Sequence, residues 1–166
     1  MDEKEPPRSI LVTWDDPTQL AAAGRTLSGL DFLRAMRDGK LPPPPMAALL
    51  GLQLVEAEPG HVVFRAVPAE RHYNPIGVVH GGLAMTILDS AMACSVQTLL
   101  PAGTGYTSLE IKVNLVRAIT SATGPIRATG SIVHAGKRTA TAEGRIEDAA
   151  GKLYAHGSTT CIILSG

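Results

Sequence analysis

The sequence predicts an α+β domain in which a curved antiparallel sheet of about six strands wraps one long central helix, with a helical extension ahead of it. Three observations predict it. A run of about five helical turns, ending at Leu100, is apolar on two faces, as expected of a helix surrounded by its own domain. A hairpin precedes it and a series of strands joined by loops of ~2–6 residues follows, which favours antiparallel neighbours. Small residues at inward strand positions (Gly130, Ala140, Ala142, Gly144) let the sheet lie close to the helix.

The elements follow in order. Residues 1–16 are polar and mixed and are expected to be partly disordered. Thr18 to Ala23 suits a short helix. Ser28-Gly29-Leu30-Asp31 reads as a capping start, and Leu30, Phe32, Leu33 and Met36 then give an amphipathic helix that stops at Gly39. Four prolines, Pro42 to Pro45, form a stiff spacer. They divide an extension, 1–45, from a main domain, 46–166. The extension reads either as a helix packed on the subunit surface or as a regulatory or partner-binding arm.

Beyond the prolines, Met46 to Leu50 is a helical turn or two, ended by Gly51. Leu52 to Ala57 and His61 to Val67 read as strands about a Pro59-Gly60 turn. The long helix ends at Pro101-Ala102-Gly103. From Ser108 to Leu115 alternation is strict, with Leu109, Ile111, Val113 and Leu115 on one face and Ser108, Glu110, Lys112 and Asn114 on the other. Ile126, Ala128, Gly130 and Ile132 line the next strand, and Ala140, Ala142, Gly144 and Ile146 the one after. Turns at His134–Lys137 and Asp148–Gly151 separate them from a last strand, Lys152 to Leu164.

Composition excludes several function classes. Fifteen basic residues balance fifteen acidic ones, which gives no electrostatic footprint for nucleic acid. The N-terminus lacks the basic start and apolar run of a signal peptide, and no apolar run reaches the ~20 residues of a membrane span, so a cytoplasmic protein with no membrane partner is expected. Cys94 and Cys161 are too few for a disulfide framework and read as reduced core thiols.

One residue is out of place. Asp89 is the only formal charge between Arg71 and Glu110, and it falls in the middle of the apolar helix, on a narrow stripe with Thr86, Ser90, Ala93 and Gln97. A buried carboxylate is costly unless something satisfies or uses it.

Ahead of the helix stands Asn74-Pro75, then Gly77, then His80-Gly81-Gly82, with the acid Asp89 eight residues after the first glycine of the pair. This pattern, continued by GYTSLEIKVNLVRAI, resembles the hotdog-fold thioesterases, and among them the phenylacetic-acid-degradation (PaaI-like) type, over roughly residues 46–163. The resemblance implies hydrolysis of acyl-coenzyme A thioesters, with no metal and no cofactor beyond the coenzyme A of the substrate. It implies homodimers or homotetramers in which the loop and helix start of one subunit face the acid of its partner.

Thioester hydrolysis needs an oxyanion stabiliser and a carboxylate that activates water or attacks directly. Gly81 at the helix start offers an unpaired N–H and the positive end of the dipole. Asp89 is ~12 Å further along the same axis. One thioester carbon does not reach both, so the spacing requires two subunits if both residues serve one reaction.

Each candidate also has a plainer reading. Asp89 is catalytic base or nucleophile, or a solvated residue on a weakly polar stripe. Gly81 and Gly82 form an oxyanion and substrate-binding turn, or pack the loop on the helix. His80 polarises the thioester, or is held structurally by the loop. Asn74 orients substrate or water, or makes an Asx-turn before Pro75. Ser108 matches the family position whose hydroxyl holds water near the acid, but alternation turns it away from the Leu109 face unless a bulge intervenes; Thr107 is the alternative. Lys137 and Arg138 bind the nucleotide phosphates of coenzyme A, or form a solvated hairpin tip. His72 and His80 lack a third ligand, so no metal site is expected.

Two further functions compete. A non-catalytic acyl-CoA-binding regulator would need a DNA-reading module, and the extension has one convincing helix and no basic patch. An enoyl-CoA hydratase or dehydratase would need a histidine and an acid to converge, and the HGG-to-acid spacing suits thioesterases better. Aryl and medium-chain aliphatic acyl groups are both open.

Overall fold

A computed structural model describes residues 8–164. Asp16 caps the first helix, α1 (Pro17–Thr26), by accepting the Thr18 N–H at 2.9 Å. Ser28 caps α2 (Gly29–Arg37); it accepts from the Asp31 N–H and donates to the Asp31 carboxylate. The proline spacer then sets the first turn of α3 (Pro45–Leu50), where fixed φ and a missing donor cost nothing. The disorder expected of residues 1–16 falls in part outside the described residues; residues 8–16 form no helix or strand.

The α2 segment is tied to the rest of the chain at two places, the end of the central helix and the first hairpin. The Gly29 N–H donates to the Leu100 carbonyl at 3.0 Å, and a side chain at Gly29 would lie 1.8 Å from the Gln97 carbonyl oxygen. Only glycine lets the two helix ends meet so closely. Leu33 is fully buried, and Arg34 donates to the Ala57 carbonyl at 3.1 Å and pairs with Glu58.

The sheet has six strands, all paired antiparallel: β1 (Gln53–Glu58), β2 (His61–Ala66), β3 (Gly105–Leu115), β4 (Ile126–Ala135), β5 (Thr139–Asp148) and β6 (Leu153–Leu164). Their spatial order is β1-β2-β4-β5-β6-β3, so β1 and β3 are the edges. The central helix, α4 (Gly81–Gln97), packs on β2 to β6, while β1 carries α2 instead. Ile87, Leu88, Ala91 and Met92 are fully buried between helix and sheet. Each large apolar side chain so covered contributes about 1.5–3 kcal/mol.

Inward small residues decide how tightly the sheet wraps. A Cβ on Gly130 would lie 2.1 Å from the Ala91 carbonyl oxygen of α4. Ala128, Ala140 and Ala142 are likewise buried against the helix. Two apolar residues of the helix stripes depart from expectation: Met85 and Leu99 are each 43% exposed. Both lie where the sheet does not reach, Met85 beside the uncovered stripe and Leu99 beyond the last turn of α4.

The larger departure is in β3. Ser108 pairs with Cys161 and Glu110 with Thr160, so Leu109 is an extra residue, a β-bulge. The alternation predicts Ser108 and Leu115 on opposite faces; the bulge puts them on the same one. Tyr106 and Ser108 face α4 before it, and Leu115 reaches Gly81 after it. Leu109 itself is 59% exposed. The helix-facing difficulty of Ser108 is thus removed by one inserted residue.

Candidate active site

The stripe of α4 left uncovered between β1 and β3 contains Thr86, Asp89, Ser90, Cys94 and Gln97, all half-buried. Asp89 stands at its centre. Ser108 Oγ donates to Asp89 Oδ1 at 2.8 Å and lies 3.9 Å from the buried Cys161 thiol. Thr107 points elsewhere: it is exposed and pairs with Ile162 on the other side of the strand. One turn or two further along, Tyr106 OH donates to Gln97 Oε1 at 3.1 Å.

The groups around Asp89 are held neutral. Burial pushes the Cys94 thiol up to about 12. Burial raises the Cys161 thiol and the Tyr106 phenol as well, and the charge of Asp89 adds to each. Asp89 therefore stands among thiols and a phenol that keep their protons. Sequence reading did not single out Cys161, Tyr106 or Gln97; their signal is the bulge, which turns Tyr106 and Ser108 onto the Cys161 face.

The second half of the site is the start of α4. His80 is its N-cap, and its Nδ1 accepts the Gly82 N–H at 2.8 Å while its carbonyl accepts the Leu83 N–H at 3.0 Å. A ring nitrogen that accepts carries a lone pair, so in neutral His80 the proton is on Nε2. The Gly82 donor is therefore engaged within the loop. The Gly81 N–H has no acceptor among the described residues, and the dipole of a 17-residue helix points at it. The side chain of Leu115 lies over Gly81, where a Cβ would come within 2.6 Å of it.

Asn74 builds the loop that presents this turn. Its Oδ1 accepts from the Ile76 N–H at 3.1 Å and from the Val78 N–H at 3.4 Å, while the backbone closes Asn74 N–H to Val78 O at 2.8 Å. The Asx-turn reading is therefore seen directly. Asn74, His80, Gly81, Leu115 and Arg117 line a cavity of about 300 Å³. Behind the loop, His72 holds the strand into the turn, its carbonyl accepting the His80 N–H at 2.8 Å. Its Nδ1 accepts from the Ala69 N–H at 3.1 Å, and its buried Nε2 has no partner among the described residues.

Lys137 and Arg138 are exposed and border a shallow cleft of about 650 Å³ with Leu100, Pro101 and Ile162, at the opposite end of α4 from Gly81. Within one chain, then, the acid, the open amide and the basic pair occupy three heights along the helix.

Comparison with known proteins decides the family. The thioesterase superfamily model matches residues 76–155. Human acyl-coenzyme A thioesterase 13 is 32% identical over 111 residues, 66% of this chain and 77% of that protein. The chain belongs to the thioesterase superfamily. A second relative of this thioesterase is 1,4-dihydroxy-2-naphthoyl-CoA hydrolase of Listeria monocytogenes, 27% identical over 104 residues, 63% of this chain and 83% of that one. The E. coli PaaI protein from the phenylacetic acid degradation operon superposes with a TM-score of 0.72 at 20% identity, over 85% of this chain and 98% of its own. The helix-in-sheet wrap of the thioesterase is thus the hotdog fold, and the protein is a thioester hydrolase.

Proposed function

We propose that this thioesterase hydrolyses acyl-coenzyme A thioesters in a homodimer, with Asp89 of one subunit and the Gly81 N–H of the other meeting at each site. The observation that carries the reading is the pairing of Ser108 with Asp89, placed eight residues from an open helix-start amide. Eight residues span ~12 Å, too far for one thioester carbon to touch both within a chain. The names of the acyl-CoA and naphthoyl-CoA relatives support the coenzyme A part of the substrate.

In this mechanism the Ser108 proton fixes Asp89 Oδ1, which leaves Oδ2 and the Ser108 lone pairs to hold a water. Asp89 takes a proton from that water as its oxygen attacks the thioester carbon. The negative charge formed on the carbonyl oxygen falls on the partner's Gly81 N–H and on the helix dipole behind it; the Nε2–H of His80 is the second donor on that turn. Collapse expels the coenzyme A thiolate, which takes the proton back from Asp89. The products are the free acid and coenzyme A. Asn74 keeps the donor turn in place, and Lys137 and Arg138 offer the nucleotide phosphates a point charge and a fork. A cytoplasmic location fits the two free thiols.

The test is thiol release over a panel of acyl-CoA esters. Asp89→Asn lowers kcat by roughly 10²-fold or more, the range of a positioned general base, while the thermal melt is retained. Normal turnover by Asp89→Asn sinks the proposal. Single turnover in labelled water tests for a nucleophilic Asp89: label found in the Asp89 carboxylate marks a mixed anhydride opened at its aspartyl carbon, and label in the product acid alone shows only that water attacked an acyl carbon.

A further inference from the structure

A cavity of about 440 Å³ opens along the α4 stripe between the N-terminal extension and the β1 edge. Met36 of α2, Pro44 of the spacer and Met46 of α3 form one wall; Leu54 and Phe64 of the hairpin form the other. Ser90 and Cys94 of α4 are its floor. Both walls lie ahead of the segment matched by the family model, 76–155.

We propose that this cavity receives the acyl chain of the substrate, and that the wall formed by the end of the extension and the start of α3 determines which chains fit. The inference rests on the proposed hydrolysis at Asp89 and adds the substrate class: an unsubstituted, flexible hydrocarbon chain.

Position is the first reason. Ser90 follows Asp89 directly on the helix, so a carbonyl carbon held at Asp89 has its next carbons at the cavity floor. On the other flank of Asp89 stand Ser108 and the Tyr106–Gln97 pair, a polar wall. An apolar chain leaving the thioester carbon therefore has its low-energy course on the β1 side.

Chemistry of the lining is the second. Its polar side chains are few, and Arg37, Gln53 and Ser90 are each partly engaged. Arg37 pairs with Asp38 at 2.8 Å, Gln53 accepts from Arg65 at 3.1 Å and Ser90 donates to the Thr86 carbonyl at 2.9 Å. Burial holds the Cys94 thiol in its protonated form. A hydroxylated ring would set most of its hydroxyls against the apolar walls, which disfavours it. Two methionines in one wall adapt to a chain of rotatable bonds better than to a rigid plate. Met46 is 55% exposed in the free protein, apolar surface that the chain would cover.

The prediction is a chain-length profile set by the walls of this cavity. Each methylene that enters gains up to about fourfold in kcat/KM until the cavity is full. Met46→Trp, which narrows the cavity from its exposed wall, lowers the ratio of kcat/KM for decanoyl-CoA over acetyl-CoA by about tenfold or more. Met46→Ala moves the optimum toward longer chains. A Leu54→Trp variant narrows the same space from the hairpin side and gives the same sign. Ratios unchanged from wild type in Met46→Trp and Met46→Ala, both with wild-type melts, overturn the inference while leaving hydrolysis at Asp89 intact. A wild-type protein that turns over no acyl-CoA of any length overturns both readings. A preference for hydroxylated aryl thioesters over decanoyl-CoA overturns the substrate class.

Discussion

Ser108 Oγ donates to Asp89 Oδ1 at 2.8 Å across the join between β3 and α4. The contact exists because Leu109 is an extra residue in the strand, so that Ser108 shares a face with Cys161. A hydrogen bond to a carboxylate is worth about 1.5–3 kcal/mol, and here it fixes one oxygen of Asp89. Ser108→Ala therefore lowers kcat by roughly 10- to 100-fold with a smaller change in KM. Steady-state thiol release measures it. A variant with unchanged kcat shows that the serine does not orient the acid.

Gly81→Pro removes one N–H and little else. Proline is favoured at the first helical position, and His80 already has the extended backbone (φ −61, ψ 134) that a following proline requires. The new ring displaces the end of the Leu115 side chain. Loss of an oxyanion donor lowers kcat by about 10²–10³-fold. A Gly81→Pro protein with wild-type kcat and melt assigns the oxyanion to another donor.

His80 is separable into cap and donor. Asparagine is among the best N-caps, so His80→Asn keeps α4 capped, whereas His80→Ala costs about 1 kcal/mol of stability. Both lose the Nε2–H. The expected pattern is a wild-type-like urea midpoint with reduced kcat for His80→Asn, and both reduced for His80→Ala. Full activity in His80→Asn leaves His80 with the cap alone.

His72 gives the fold a pH dependence of known sign. Burial, with the charge of Arg71 adding, holds its imidazole below the ordinary 6.5 in the folded chain. The unfolded chain then binds more protons between the folded value and 6.5. Stability from this group is fully present above 6.5 and is lost as pH falls through the folded value. Urea midpoints measured between about pH 8 and about pH 5 fall less in His72→Gln than in wild type. An equal fall in the two proteins rules His72 out as the source.

Much of this was legible in the residues. The period of 81–97, the helix stops at Gly39 and Gly51 and the small inward residues of β4 and β5 follow from local chemistry, and the structure has all of them. The bulge was not legible, because Leu109, Ile111, Val113 and Leu115 alternate straight through it; only pairing with β6 makes Leu109 supernumerary. Nor was the engagement of Gly82 by His80 Nδ1, since a side-chain cap from histidine has no distinctive spacing. The wall made by Met36 and Met46 needed the extension to be folded against α4 and β1, which rests on a long-range contact of Gly29 with Leu100.

The central claim, that each site joins Asp89 of one subunit to Gly81 of the other, is tested most directly by subunit complementation. Asp89→Asn and Gly81→Pro chains are each nearly inactive alone. Unfolded together and refolded, half of their dimers are mixed, and each mixed dimer holds one intact site of two, so activity returns to about a quarter of wild type. That recovery is the predicted result. A mixture that forms mixed dimers yet stays as inactive as its components contradicts the shared site and places both residues of each reaction in one chain.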